Sequence, residues 1–117
     1  MASEKLPNYL LSHRKRTALS QMEVAFLLGI QSGAKVCRHE RFTLDPGLQT
    51  ALAYEAIYQR PISELFPGLV EKIQDDVRAR AKLLVGRELH SNARGLTIRK
   101  RQAIAAIVSA EFDNQLK

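Results

Sequence analysis

Residues 20–41, SQMEVAFLLGIQSGAKVCRHER, decide how the chain is read. They predict two short helices joined by a tight turn at Gly29. Met22, Val24, Ala25, Leu27 and Leu28 give the first helix its apolar positions, Ile30 fills the turn, and Val36 anchors the second helix. The other side of that second helix carries Ser32, Lys35, Arg38 and Arg41. A small buried face opposite a basic exposed one suits a helix that lies in a DNA groove.

The local chemistry agrees. Ser20 is a good N-cap, and Glu23, three residues on, completes a capping box. That fixes the helix start and leaves Gln21 at its positive end, where backbone N–H groups and an amide can grip a phosphate. Gly29 suits the left-handed conformation of a helix stop. Ser32 caps the next helix, which runs to about Arg41. Its length is roughly 15 Å, comparable with the roughly 12 Å width of the major groove. Val36 faces inward, His39 or Glu40 lies near the boundary, and Ala34, Lys35 and Arg38 remain outside, with Cys37 open to either side. Arg38 is the best-placed base reader, because its planar fork matches guanine O6 and N7. Its alternative use is an ion pair with Glu40 or Glu55. Exposed pairs contribute little, so the DNA contact is favoured.

Upstream, Ser3 to Ala18 predicts a first helix with Pro7 in its opening turn and Leu6, Leu10 and Leu11 as its stripe. His13, Arg14, Lys15 and Arg16 form a basic last turn. These cations either complement the helix dipole or touch phosphate, and the sequence leaves both open. Downstream, Phe42 to Gly47 is a loop in which Asp45 caps a fourth helix, 47–58, with Leu48, Leu52, Ala53 and Ile57 as its core positions. Ile62, Leu65 and Phe66 seal a short closing helix.

At 117 residues the chain suffices for one domain with an extension. No apolar run approaches the roughly 20 residues that span a bilayer. The N-terminus lacks the apolar region of a secretory signal, so a cytoplasmic protein with no membrane partner is expected. Cys37 is the one cysteine, which excludes an internal disulfide. Cys37, His39, His13 and His90 lack metal-ligand spacing, and neither metal nor cofactor is expected. The net charge of +6 favours polyanionic partners, double-stranded DNA first among them. No nucleophile stands in a recognisable catalytic setting and no Gly-rich phosphate loop is present, so no enzymatic activity is expected.

LLSHRKRTALSQMEVAFLLGI resembles the opening of lambda-repressor-like helix-turn-helix domains, the xenobiotic-response-element class. Leu10, Arg14, Leu19, Ser20, Gln21, Val24, Ala25, Leu28 and Gly29 occupy the positions of its pattern, L-x-x-x-R-x-x-x-G-L-[ST]-Q-x-x-[LV]-A-x-x-L-G. VCRHER resembles the family's I-S-x-W-E-x-G segment, and PISELF its V-S-x-x-E-L-F ending. The likeness covers roughly Leu6 to Phe66. It implies an all-α, five-helix domain whose third helix enters the major groove of an operator, usually as a dimer. By position, Ser20 and Gln21 would lie at the phosphate, Gln31, Ser32, Gly33, Ala34, Lys35 and Arg38 at the groove, and Arg41 at the far backbone. Three departures stand out: Ala18 replaces a glycine, His39 replaces an aromatic or leucine, and one extra residue separates Gly29 from Val36.

The organisation expected is therefore a DNA-binding domain over 5–66 and a two-helix extension over 67–117. Val70, Ile73, Val77, Ala81 and Leu84 recur at helical spacing, with Gly86 to Gly95 as a frayed end and loop. Leu96 or Thr97 starts a last helix with Ile104, Ile107, Val108 and Phe112 on one face. Two such helices cannot bury both stripes alone, so the extension is read as a homodimer interface. The alternative is packing on the first domain. Arg94, Arg99, Lys100 and Arg101 oppose the last helix's dipole and are read mainly as a solvated run. The expected function is a sequence-specific transcriptional regulator, most simply a repressor. Two rivals stand beside it: an antitoxin-type module that neutralises a partner protein through 67–117, and an interaction module that has lost DNA binding.

Overall fold

The computed structural model describes residues 6–89 and 97–110, and among these the regular secondary structure is all helix, with no strand. Seven helices follow in order: α1 (Leu10–Thr17), α2 (Gln21–Leu28), α3 (Gly33–Glu40), α4 (Leu48–Tyr58), α5 (Ile62–Leu65), α6 (Pro67–Leu89) and α7 (Thr97–Ser109). The chain divides into two units, 1–70 and 71–117, and the division falls inside α6.

In the first unit α2 packs on α3 and α4, and α1 touches α3 and α4. The capping box forms as its spacing predicts. Ser20 Oγ accepts from the Glu23 N–H at 3.0 Å, and Glu23 Oε1 accepts from the Ser20 N–H at 2.8 Å. Gly29 ends α2 at φ +80°, and Ser32 Oγ caps α3 by accepting from Ala34 at 3.1 Å. Leu10, Val24, Ala25, Val36, Tyr54, Tyr58, Leu65 and Phe66 form the core.

Several expectations are corrected. The first helix begins at Leu10, and Pro7 lies before it. Asn8 Oδ1 accepts from the Leu10 N–H at 3.0 Å, which starts the helix later than the apolar stripe suggested. Ser3 to Lys5 lie outside the described residues. Gly47, not Asp45, occupies the cap position of α4. Leu48 and Leu52 are exposed, at 72% and 50%, and α4 buries Tyr54 and Tyr58 instead. The buried line of α4 therefore runs through its tyrosines, whose rings stack at a centroid distance of 6.0 Å. Met22 and Leu27 are also exposed, on the side of α2 away from the buried Val24 and Ala25. Gly86 lies within α6, which continues to Leu89, so the loop begins later than the glycine signalled. Arg94 and Phe112 lie outside the described residues.

Ala18 closes α1 at φ +63°, a left-handed conformation that crowds a Cβ against the backbone. Its N–H donates to the Lys15 carbonyl, and Thr17 Oγ1 accepts from the Leu19 N–H, which holds the turn. Replacing Ala18→Gly removes the crowding at the cost of a looser unfolded chain. A net gain of about 0.5–1 kcal/mol is expected. Thermal denaturation monitored by circular dichroism will read it as a rise in Tm.

His39 is buried and shares a 2.8 Å hydrogen bond between its Nδ1 and Tyr54 Oη. Burial lowers its pKa, and the nearby Lys35 and Arg38 charges lower it further. Burial likewise lowers His13, helped by Arg16. In the unfolded chain both imidazoles titrate near the ordinary value of about 6.5. The unfolded state thus binds more protons below that value, and stability falls with pH there. Full stability is expected above about pH 6.5, declining as pH drops toward the lowered folded values. Urea denaturation across pH 5–8 will show this, and His39→Asn will flatten the slope.

Candidate nucleic-acid interface

The position of α3 depends on one charged cluster. Arg14 on α1 donates through Nε to Glu40 Oε2 at 2.6 Å and through Nη2 to Glu40 Oε1 at 3.2 Å. Its Nη1 reaches the Leu19 carbonyl at 3.0 Å. Gln21 Nε2, at the first residue of α2, donates to Glu40 Oε1 at 3.0 Å. Glu40, the last residue of α3, is almost fully buried and so accepts from both preceding helices. The Arg14 guanidinium is held still more firmly protonated by its hydrogen bond to Glu40.

A second set of contacts fastens the same end of α3. Asn8 Nδ2 donates to the His39 carbonyl at 3.0 Å, and His39 reaches Tyr54 on α4. Thr43 Oγ1 and the Thr43 N–H both donate to the Arg38 carbonyl. At the other end Gly33 lies against the first turn of α2. A Cβ there would sit 3.4 Å from the Met22 nitrogen.

With this clasp in place, α3 buries Val36, His39 and Glu40. Gln31, Ser32, Ala34, Lys35, Arg38 and Arg41 are all exposed. At 3.6 residues per turn, Ala34, Lys35, Arg38 and the C-cap Arg41 fall on one face, opposite the buried three, and Gln31 precedes the helix. The chain thus presents a polar, basic helix surface backed by its own core. Arg38 makes no ion pair among the described residues, since Glu40 is engaged by Arg14 and Glu55 accepts from the Ile62 N–H. Cys37 is a half-buried free thiol beside this face.

Six residues in and around the expected site stand differently. Glu40 and His39, placed at the boundary by sequence, are core groups, because both have hydrogen-bond partners that make burial tolerable. Arg14, expected to solvate the α1 terminus or touch phosphate, is turned inward to Glu40. Gln21 is half-buried with its amide nitrogen committed to Glu40, and Ser20 spends its hydroxyl on the cap. Gly33 is half-buried against α2 and contributes closeness of packing there.

Sequence reasoning missed the partnership of Arg14, Gln21 and Glu40, and those of Asn8 and Tyr54. Arg14, Gln21 and Glu40 each sit at a position of the resembled pattern, which signals their residue types. Nothing in linear spacing says that the three meet. The outer side of α2 was missed as well. Leu19, Met22, Glu23, Phe26 and Leu27 line a shallow depression of about 350 Å³, and Phe26 is 81% exposed.

Among the described residues no cluster of His, Cys, Asp or Glu could hold a metal ion. None of their helices is long and apolar enough to cross a membrane. No protein-family model, curated protein or solved structure matches the chain.

Breaking a buried ion pair by removing one partner leaves the other charge uncompensated, at a cost of about 3–5 kcal/mol. Glu40→Ala is expected to lose stability in that range in urea denaturation. The double change Arg14→Met with Glu40→Met should lose less than Glu40→Ala alone, since no orphan charge remains.

Proposed function

We propose that the first unit is a lambda-repressor-like helix-turn-helix domain, and that the protein is a sequence-specific DNA-binding transcriptional regulator. It acts by occupying a duplex operator and not by catalysis. The carrying observation is the two-faced α3: Val36, His39 and Glu40 buried, with Ala34, Lys35, Arg38 and Arg41 exposed on the opposite side. Arg38 then reads a guanine, and Lys35 and Arg41 sit at the phosphates. The net charge of +6 supplies attraction for the polyanion. Gln21 supports the site mainly from within, by holding Glu40.

A second reading is favoured by one observation, the exposed Met22, Phe26 and Leu27 on α2. Apolar side chains in contact with one another on an exposed surface often mark a protein partner. Under this reading the fold is an interaction module that has lost DNA binding.

Selection of bound sites from random duplex DNA distinguishes the two. Enrichment of a discrete motif supports the regulator, and failure to enrich any motif overturns it. Against the selected site, Arg38→Ala is expected to cost about 1–3 kcal/mol and to relax preference at one base pair. Lys35→Ala should weaken all sequences alike and reduce the salt slope by about one. An Arg38→Ala protein with full affinity and selectivity removes Arg38 as the base reader.

A further inference from the structure

We propose that α6 pairs with α6 of a second copy of the chain in antiparallel orientation, in the register that sets Ile73 against the partner's Leu84. This goes beyond the DNA-binding reading and does not rest on it. Three observations within the second unit carry it. Among its described residues only Ala81 and Ile104 are buried apolar side chains. The Arg78 guanidinium donates to the Ala110 carbonyl at 2.9 Å, tying α6 to the end of α7. Ile73, Val77 and Leu84 nevertheless stay 52%, 43% and 43% exposed. With Arg80 they form one stripe at alternating spacings of four and three, with the buried Ala81 at its edge, one turn on from Val77. So small a unit needs a further surface to bury that stripe.

The charge order along the helix says what the surface is. Residues 71–76 contain Glu71, Asp75 and Asp76 against Lys72, while 78–87 contain Arg78, Arg80, Lys82 and Arg87 with no acid. A parallel pair would stack like on like, with Arg80 on the partner's Arg80. An antiparallel pair sets each acidic half beside the partner's basic half. In the register named, the stripe forms layers with itself: Ile73 meets the partner's Leu84, and Val77 meets the partner's Arg80. The Arg80 stem covers valine while its guanidinium reaches Asp76 next to that valine. Asp76 is available for this, since among the described residues it pairs with the exposed Lys72 at 3.0 Å, a contact of little strength. A second copy is therefore the occupant whose charges and apolar spacing fit.

The test uses the full chain with Cys37→Ser. Ile73→Cys and Leu84→Cys variants, one carrying a mass tag, are co-expressed and equilibrated in a glutathione buffer. The expected product is the mixed 73–84 disulfide, with little of either like-to-like product. Dominant 73–73 and 84–84 products overturn the orientation, and absence of any cross-link overturns the pairing. Val77→Arg provides an independent measurement, because it sets a like charge against the partner's Arg80, while Val77 is 43% exposed in the single chain and its replacement spares the fold. Sedimentation equilibrium is expected to show the dimer dissociation constant raised about tenfold or more. An unchanged dimer, or a wild-type chain that sediments as a monomer, overturns the proposal.

Discussion

Arg14, Gln21 and Glu40 bring the first three helices to one point, and the first unit is arranged around that meeting. The carboxylate of Glu40 would be expensive to bury alone. It is tolerated because Arg14 meets it through two nitrogens and Gln21 adds a third donor. A fork-to-carboxylate contact is directional as well as strong. It fixes the distance of α3 from α1 and the rotation of α3 about its own axis. Rotation is what matters, because it decides which side chains the helix turns outward.

The rest of the first unit supports that setting. Asn8 and Thr43 occupy carbonyls near the C-terminal end of α3, at His39 and Arg38. His39 joins an aromatic group with Tyr54, Tyr58 and Phe66, whose rings lie within 5.6–6.3 Å of a neighbour. Tyr54 provides the hydroxyl that keeps His39 hydrogen-bonded, and burial raises the pKa of that phenol. Tyr58 is pushed up to about 12 by the same cause. A polar cluster on one side and an aromatic cluster on the other hold a helix only eight residues long, too short to be stable by itself.

The two units manage apolar surface differently. The first closes a core of eight buried side chains around its helix junctions. The second has two buried apolar residues among those described and keeps its longest stripe outside. Exposure of Phe26 on α2 is a separate feature, since Val24 and Ala25 already satisfy the packing of that helix.

By itself the sequence determined whatever depends on neighbours a few residues apart. The Ser20–Glu23 box, the Gly29 stop, the Ser32 cap, the inward Val36 and the sealing role of Leu65 and Phe66 were all legible, because caps and turns act over three or four residues. The outward Lys35, Arg38 and Arg41 followed from counting around the helix. Only the tertiary structure decided which charges go inside. Arg14 and Glu40 are 26 residues apart, and either could have remained in water. It also decided that α4 buries Tyr54 and Tyr58 while Leu48 and Leu52 face out. Periodicity allows more than one face, and hydrophobicity favoured the leucines. The choice went to the side whose rings could stack on each other and meet His39 and Phe66 edge-on. For Arg14, Glu40 and Tyr54 the physical reason is the same: a polar side chain is buried when a distant partner satisfies it, and that partner has no mark in the local pattern.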